Sequence, residues 1–132
     1  MVPKSVYSSS APRPQGPYSQ ALVYNGLVYC SGQIPLDPAT GKLVDGPIGI
    51  QTRRALMNLE AVLREAGSDS SLVLRTTVYL AEMDDFPEMN AAYASHFGTT
   101  KPARSTLQAA RLPLEARIEV ECLAALPSTQ ST

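Results

Sequence analysis

GIQTRRALMNLEAVLREAG, from Gly49 to Gly67, is followed after a short polar break by LVLRTTVYL, from Leu72 to Leu80, and this stretch decides the fold. In its first half Thr52, Ala55, Leu56, Leu59, Val62, Leu63 and Ala66 recur at steps of three and four, laying one apolar stripe along a helix. Arg53, Arg54, Glu60, Arg64 and Glu65 take the other faces, and Gly67 is a natural left-handed stop. The second half is dense in β-branched and aromatic residues and reads as a strand, with Leu72, Leu74, Thr76, Val78 and Leu80 alternating onto one face. A helix that must bury one stripe, beside a strand that must bury one side, predicts helices packed on a sheet.

Toward the C-terminus, Asp84 or Asp85 can cap a second helix with Pro87 near its first turn. Its stripe is Phe86, Met89, Tyr93 and Phe97, and Gly98 ends it. Ala103–Ala109 and Arg117–Ala125 read as two more strands, with Pro113 between them. Toward the N-terminus, Ala21–Tyr24 and Leu27–Ser31 flank Asn25-Gly26, a strong hairpin signal. The prolines of Gln33–Gly41 predict a turn-rich loop without regular pairing. The order β-β-α-β-α-β-β lacks strict alternation, so the expected class is α+β: a mixed β-sheet with both helices on one face. Residues 1–132 read as a single domain, with 1–15 an extended N-terminal arm and 127–132 a flexible tail.

Apolar residues make up 44% and charged residues 17% of the chain, with a formal net charge of −1, as expected of an ordinary soluble globule. That balance leaves no broad basic footprint and argues against nucleic acid as a partner. Apolar runs fall far short of the roughly 20 residues that span a bilayer, so no membrane partner is expected. Without Trp and with only two Phe, aromatic packing is thin, and a small domain of this kind often completes its core by oligomerising. The arm lacks the apolar run of a secretory signal, and Pro3, Pro12 and Pro14 interrupt any amphipathic helix. A cytoplasmic location is the expectation, with the mitochondrion as the alternative.

Familiar catalytic patterns are absent. Cys30 and Cys122 lie in strand-like runs without neighbouring Cys or His, so they read as reduced, buried small hydrophobes; a disulfide stays open, and no metal is expected. His96 has no nucleophile motif beside it and reads as a surface or partly packed helix residue. Asp84-Asp85 serves more economically as a cap than as a carboxylate dyad. What remains are polar residues on strands. Arg104, Thr106 and Gln108 share one face of their strand, and Arg117, Glu119, Glu121 and Leu123 share one face of the last. An Arg offers a planar bidentate donor suited to a small carboxylate, and a Glu within reach could accept or relay a proton. The same pair would serve equally as a structural ion pair at a subunit interface. Gly16-Pro17-Tyr18 and Ser31-Gly32-Gln33 add turns at which a ligand could approach the backbone.

These residues carry a resemblance. Ala11-Pro12, Gly16–Ala21, Ser31–Pro38 with Thr40-Gly41, Gln51-Thr52, Asn58-Leu59 and Thr76–Leu80 match, in order, the RidA-type reactive intermediate deaminases of the YjgF-like family. Asp85-Phe86, Met89-Asn90, Tyr93, Pro102–Ser105, Leu112-Pro113 and Ile118–Glu121 continue the match. The family is also described as L-PSP endoribonucleases. The resemblance implies a chorismate-mutase-like fold assembled as a homotrimer, with sheets inside and sites between subunits. It further implies cofactor-free hydrolysis of 2-imino acids and their enamines, such as 2-iminobutanoate and 2-iminopropanoate, to 2-oxo acids and ammonia. On that footing Arg104 would clamp the carboxylate and Glu119 would hold the attacking water or shuttle its proton. Tyr18 would wall the pocket across the interface, Ser31 and Gly32 would offer contacts, and Asn90 would support. Thr106 stands where the family often has Cys, which puts substrate range in question. Other readings are a carboxylate-binding or chaperone-like trimer without turnover, an endoribonuclease or translation inhibitor, and an imine hydrolase dedicated to one pathway.

Overall fold

The computed structural model describes residues 2–128. Six strands form one sheet: β1 (Lys4–Val6), β2 (Ala21–Tyr24), β3 (Leu27–Gln33), β4 (Val73–Leu80), β5 (Ala103–Gln108) and β6 (Ile118–Ala125). Two helices, α1 (Ile48–Glu65) and α2 (Phe86–Phe97), pack on it. The strand order is β1-β2-β3-β6-β4-β5. Neighbours are antiparallel except β4 and β5, which are parallel and joined through α2. The mixed α+β architecture therefore agrees with the expectation from the helix–strand stretch.

Strict alternation in β6 builds the core. Ile118, Val120, Cys122 and Ala124 are buried under the helices, while Glu119, Glu121 and Leu123 face the uncovered side. The predicted stripe of α1 meets this surface: Thr52, Ala55, Leu56, Leu59, Val62 and Leu63 are all buried. Each fully buried Leu or Val side chain of the stripe contributes about 1.5–3 kcal/mol of transfer free energy. Gly67, at φ 91°, ends the helix in the left-handed conformation its lack of a side chain allows. Cys30 and Cys122 are free and buried as register partners on β3 and β6.

Three local readings are corrected. The arm is extended, but Lys4–Val6 is also a paired edge strand, held by buried Gln20: its amide donates to Ser8 O and Pro12 O and accepts from Ser8 N. Leu74 does not share the buried face of Thr76, Val78 and Leu80, because a register irregularity between Val73 and Arg75 buries Val73 and turns Leu74 outward. Asp85 occupies the N-cap position of α2 without making the capping bond, since both its carboxylate oxygens accept from Arg117 Nη2 at 3.0 Å. The turn-rich loop forms no strand of its own beyond Gln33, the last residue of β3, and its one pairing among the described residues is an isolated antiparallel bridge from Leu36 to Leu43 just past it. Of the tail expected at 127–132, Pro127 and Ser128 are exposed and 129–132 lie outside the described residues.

Candidate active site

The site residues fall into two groups. The first lines a cavity of about 410 Å³ bounded by Tyr18, Gln20, Gly32, Ile34, Leu114 and Glu119, with the Pro12–Gln15 segment at its edge. Glu119 enters from the uncovered face of β6, and Gly32 on β3 makes room for it. A β-carbon at position 32 would collide with Glu119 Oε2 and stand 2.8 Å from its carboxyl carbon. Burial pushes the Glu119 carboxyl above the ordinary carboxylate range, and the charge of Glu121 acts in the same direction. Tyr18 is about half exposed, and its hydroxyl accepts a bond from Gln15 N at 3.1 Å. Ser31 does not line this cavity; its hydroxyl donates to Ser19 O at 2.7 Å and ties β3 to the preceding loop.

The second group sits where β5 meets α2. Arg104, Asn90, Tyr93 and Lys101 line one cleft. The Arg104 guanidinium lies 4.7 Å from the Tyr93 ring centre and 5.5 Å from that of Phe86, so the cation rests over two rings. Among the described residues no carboxylate pairs with it. Tyr93 is fixed in turn by a buried 2.7 Å bond between its hydroxyl and Thr76 Oγ1. Asn90 Oδ1 and Thr106 Oγ1 are buried without a hydrogen-bond partner.

Register decides how the groups relate. Arg104 and Thr106 pair with Thr76 and Val78, the helix side of the sheet, whereas Glu119 pairs with Tyr79 on the opposite side. One protomer therefore does not bring Arg104 to Glu119, and the expectation of a Glu within reach of the Arg is corrected for a single chain. The two residues therefore form no ion pair within one chain. Tyr18, Gly32 and Glu119 belong to one half, with Arg104 and Asn90 in the other.

His96 is half-buried at the end of α2, with Nε2 2.8 Å from Ser70 Oγ and 3.7 Å from Glu60 Oε1. The Ser70 hydroxyl also bonds Glu60 Oε1. Burial lowers the imidazole pKa despite Glu60. The carboxylate therefore meets the serine rather than the far ring nitrogen, which is not the arrangement of a nucleophilic relay. No group of three His, Cys, Asp or Glu suited to a metal occurs among the described residues.

A family model described as Endoribonuclease L-PSP matches residues 8–126. The chain belongs to the L-PSP (Rid/YjgF) family. This Rid chain is 43% identical to a RutC family protein of Pyrococcus abyssi, over 94% of its own length and 98% of the relative's. It is 47% identical to Reactive Intermediate Deaminase A, chloroplastic, of Arabidopsis thaliana, covering 95% of this chain and 67% of that one. The crystal structure of E. coli TdcF with bound serine superposes with a TM-score of 0.90 at 32% identity, covering 94% of this chain and 99% of that one.

Several residues that shape the two clefts carried no site role in the sequence reading. Gln20 pins the arm against the cavity, Tyr93 shelves the arginine, and Asn58 holds the Ile34–Leu36 wall by donating to both carbonyls, at 3.1 and 2.9 Å. A signal existed for two of them: a Gln directly before a strand and an Asn inside an apolar helical stripe are polar groups placed where burial is due, and buried amides are hydrogen-bonded.

Proposed function

We propose that this protein hydrolyses 2-imino acids and their enamine tautomers, 2-iminobutanoate and 2-iminopropanoate among them, to 2-oxo acids and ammonia. The observation that carries the reading is Glu119, a carboxyl in a cavity that Gly32 leaves open for it. The deaminase name of the plant relative and the serine bound in TdcF support an amino-acid-sized carboxylate as ligand. Because the halves lie on opposite sides of the sheet, the working site is a composite: Arg104 and Asn90 from one copy, Tyr18, Gly32 and Glu119 from its neighbour. A homotrimer packed through the uncovered sheet face, where Leu22, Tyr24, Tyr29 and Leu107 are exposed, satisfies this requirement.

In this mechanism Arg104 holds the substrate carboxylate through two parallel N–H bonds. Ionised Glu119 takes a proton from water as the water oxygen bonds the imine carbon. Glu119 then passes that proton to nitrogen and takes the remaining hydroxyl proton as the carbonyl forms, so that the C–N bond breaks and ammonia leaves with the 2-oxo acid. Positioning and one proton relay suffice, since a protonated imine carbon is already electrophilic. The cytoplasm is the compartment proposed, tested by fractionation.

The test couples a threonine dehydratase to the purified protein and follows loss of 2-iminobutanoate. Acceleration by the wild type is expected, and Arg104→Ala should lower kcat/KM about 10- to 150-fold, the equivalent of about 1.5–3 kcal/mol for a bond to a charged group. Equal acceleration by the variant would sink the site. Binding of 2-oxobutanoate without any turnover would favour the carboxylate-binding trimer instead, and cleavage of RNA that persists through repeated purification would favour the endoribonuclease.

A further inference from the structure

We propose that Leu114 selects the substrate side chain at this site, favouring 2-imino acids whose side chains are apolar and longer than ethyl. The inference rests on the imine-hydrolysis reading and names its substrate class. Leu114 and Glu115 are consecutive non-glycine residues at φ 55° and φ 57°, a left-handed pair that side chains disfavour. The turn holds them there through Glu115 N to Leu112 O at 3.1 Å and Ala116 N to Pro113 O at 3.0 Å. Buried Ala116 anchors it from below in a small cluster with Ile34 and Leu36.

The strained turn leaves the Leu114 side chain 57% exposed on the wall of the cavity that holds Glu119. A left-handed backbone is strained for a side chain of this size, and its coincidence with the cavity wall is the mark of a residue kept for contact. Ile34, Leu36, Pro12 and Pro113 line the same cavity and continue the apolar surface. Arg13 at the edge is the competing feature, because it would draw an acidic side chain instead.

The experiment generates 2-imino acids with an amino-acid oxidase plus catalase from alanine, leucine, methionine and glutamate. Ammonia release above the spontaneous rate is measured with wild type and Leu114→Asn. Asn accepts the left-handed conformation, so the turn is retained while the apolar contact is lost. The wild type is expected to favour the leucine- and methionine-derived imines over the alanine-derived one. In Leu114→Asn that preference, as a ratio of kcat/KM values, should fall about tenfold or more. An unchanged ratio, or a wild-type preference for the alanine- or glutamate-derived imine, would overturn the selector while leaving imine hydrolysis standing. If the wild type accelerates none of the four, the underlying reading fails and this inference with it.

Discussion

Glu119 is where the chemistry and the stability of the protein pull against each other. Its carboxyl is raised by burial first and by Glu121 second, so the folded chain keeps a proton that the unfolded chain has released. Stability contributed at this position is therefore present below the ordinary carboxylate pKa of about 4 and is lost as pH climbs through the raised value. Glu119→Gln removes that penalty. Thermal melts should show the variant more stable than wild type at neutral pH, with the difference shrinking toward pH 4, while kcat falls about 10²- to 10⁴-fold through loss of the proton relay. A variant less stable than wild type at pH 7 would contradict the assignment. Gly32 makes the complementary case. In Gly32→Ala the new β-carbon would stand 2.9 Å from Glu119 Cγ as well as against its carboxyl, so the side chain must rotate as a whole; the obstacle is not backbone, so the fold should hold. Misplacing the carboxyl by an ångström or so should cost about 10²-fold in kcat/KM. A near-native circular dichroism spectrum and melt beside that loss would check it.

Elements were legible to the extent that their periodicity was local. The stripe of α1 and the alternation of β6 put the right side chains in the core because each obeys one rule over its whole length. Leu74 breaks from its pattern because the irregularity at Val73–Arg75 is set by pairing with β6, a partner more than forty residues away in sequence. Lys4–Val6 escaped as a strand for a related reason: three residues carry no period, and only Gln20 and the edge of β2 give them a place. Between α1 and the cavity, Asn58 is the joint. Arg54 donates to its side-chain oxygen at 2.8 Å while its amide serves the Ile34 and Leu36 carbonyls. Asn58→Ala should cost about 1–3 kcal/mol, seen as a lower Tm. Hydrogen exchange should quicken selectively across residues 34–44, and a uniform increase over the whole sheet would count against this local role.

For the whole molecule, the unsatisfied features of one chain are matched to one another: an arginine that no described carboxylate pairs with on one side of the sheet, a carboxyl in a cavity on the other, and exposed apolar side chains on the uncovered face. The proposed trimer would bring all three together. Sedimentation should give a species three times the chain mass. Arg104→Ala and Glu119→Gln subunits, each strongly impaired alone, should regain about a quarter of wild-type activity when co-refolded in equal amounts, the fraction of interfaces that receive both native residues. A mixture no more active than its parents, with mixed oligomers demonstrated, would mean that each chain builds its site alone.

By itself the sequence determined the α+β class, the helix stripe, the buried side of the last strand and membership of the family, because periodicity and motif order are properties of the chain. It also named Arg104 and Glu119, since a bidentate cation and a carboxyl on strands are unusual wherever they fall. Only the tertiary structure decided that the two stand on opposite sides of one sheet. Alternation says which residues share a face within a strand, but the face that the helices cover is chosen by register between strands and by where the helices land, and those are set by packing across the whole fold.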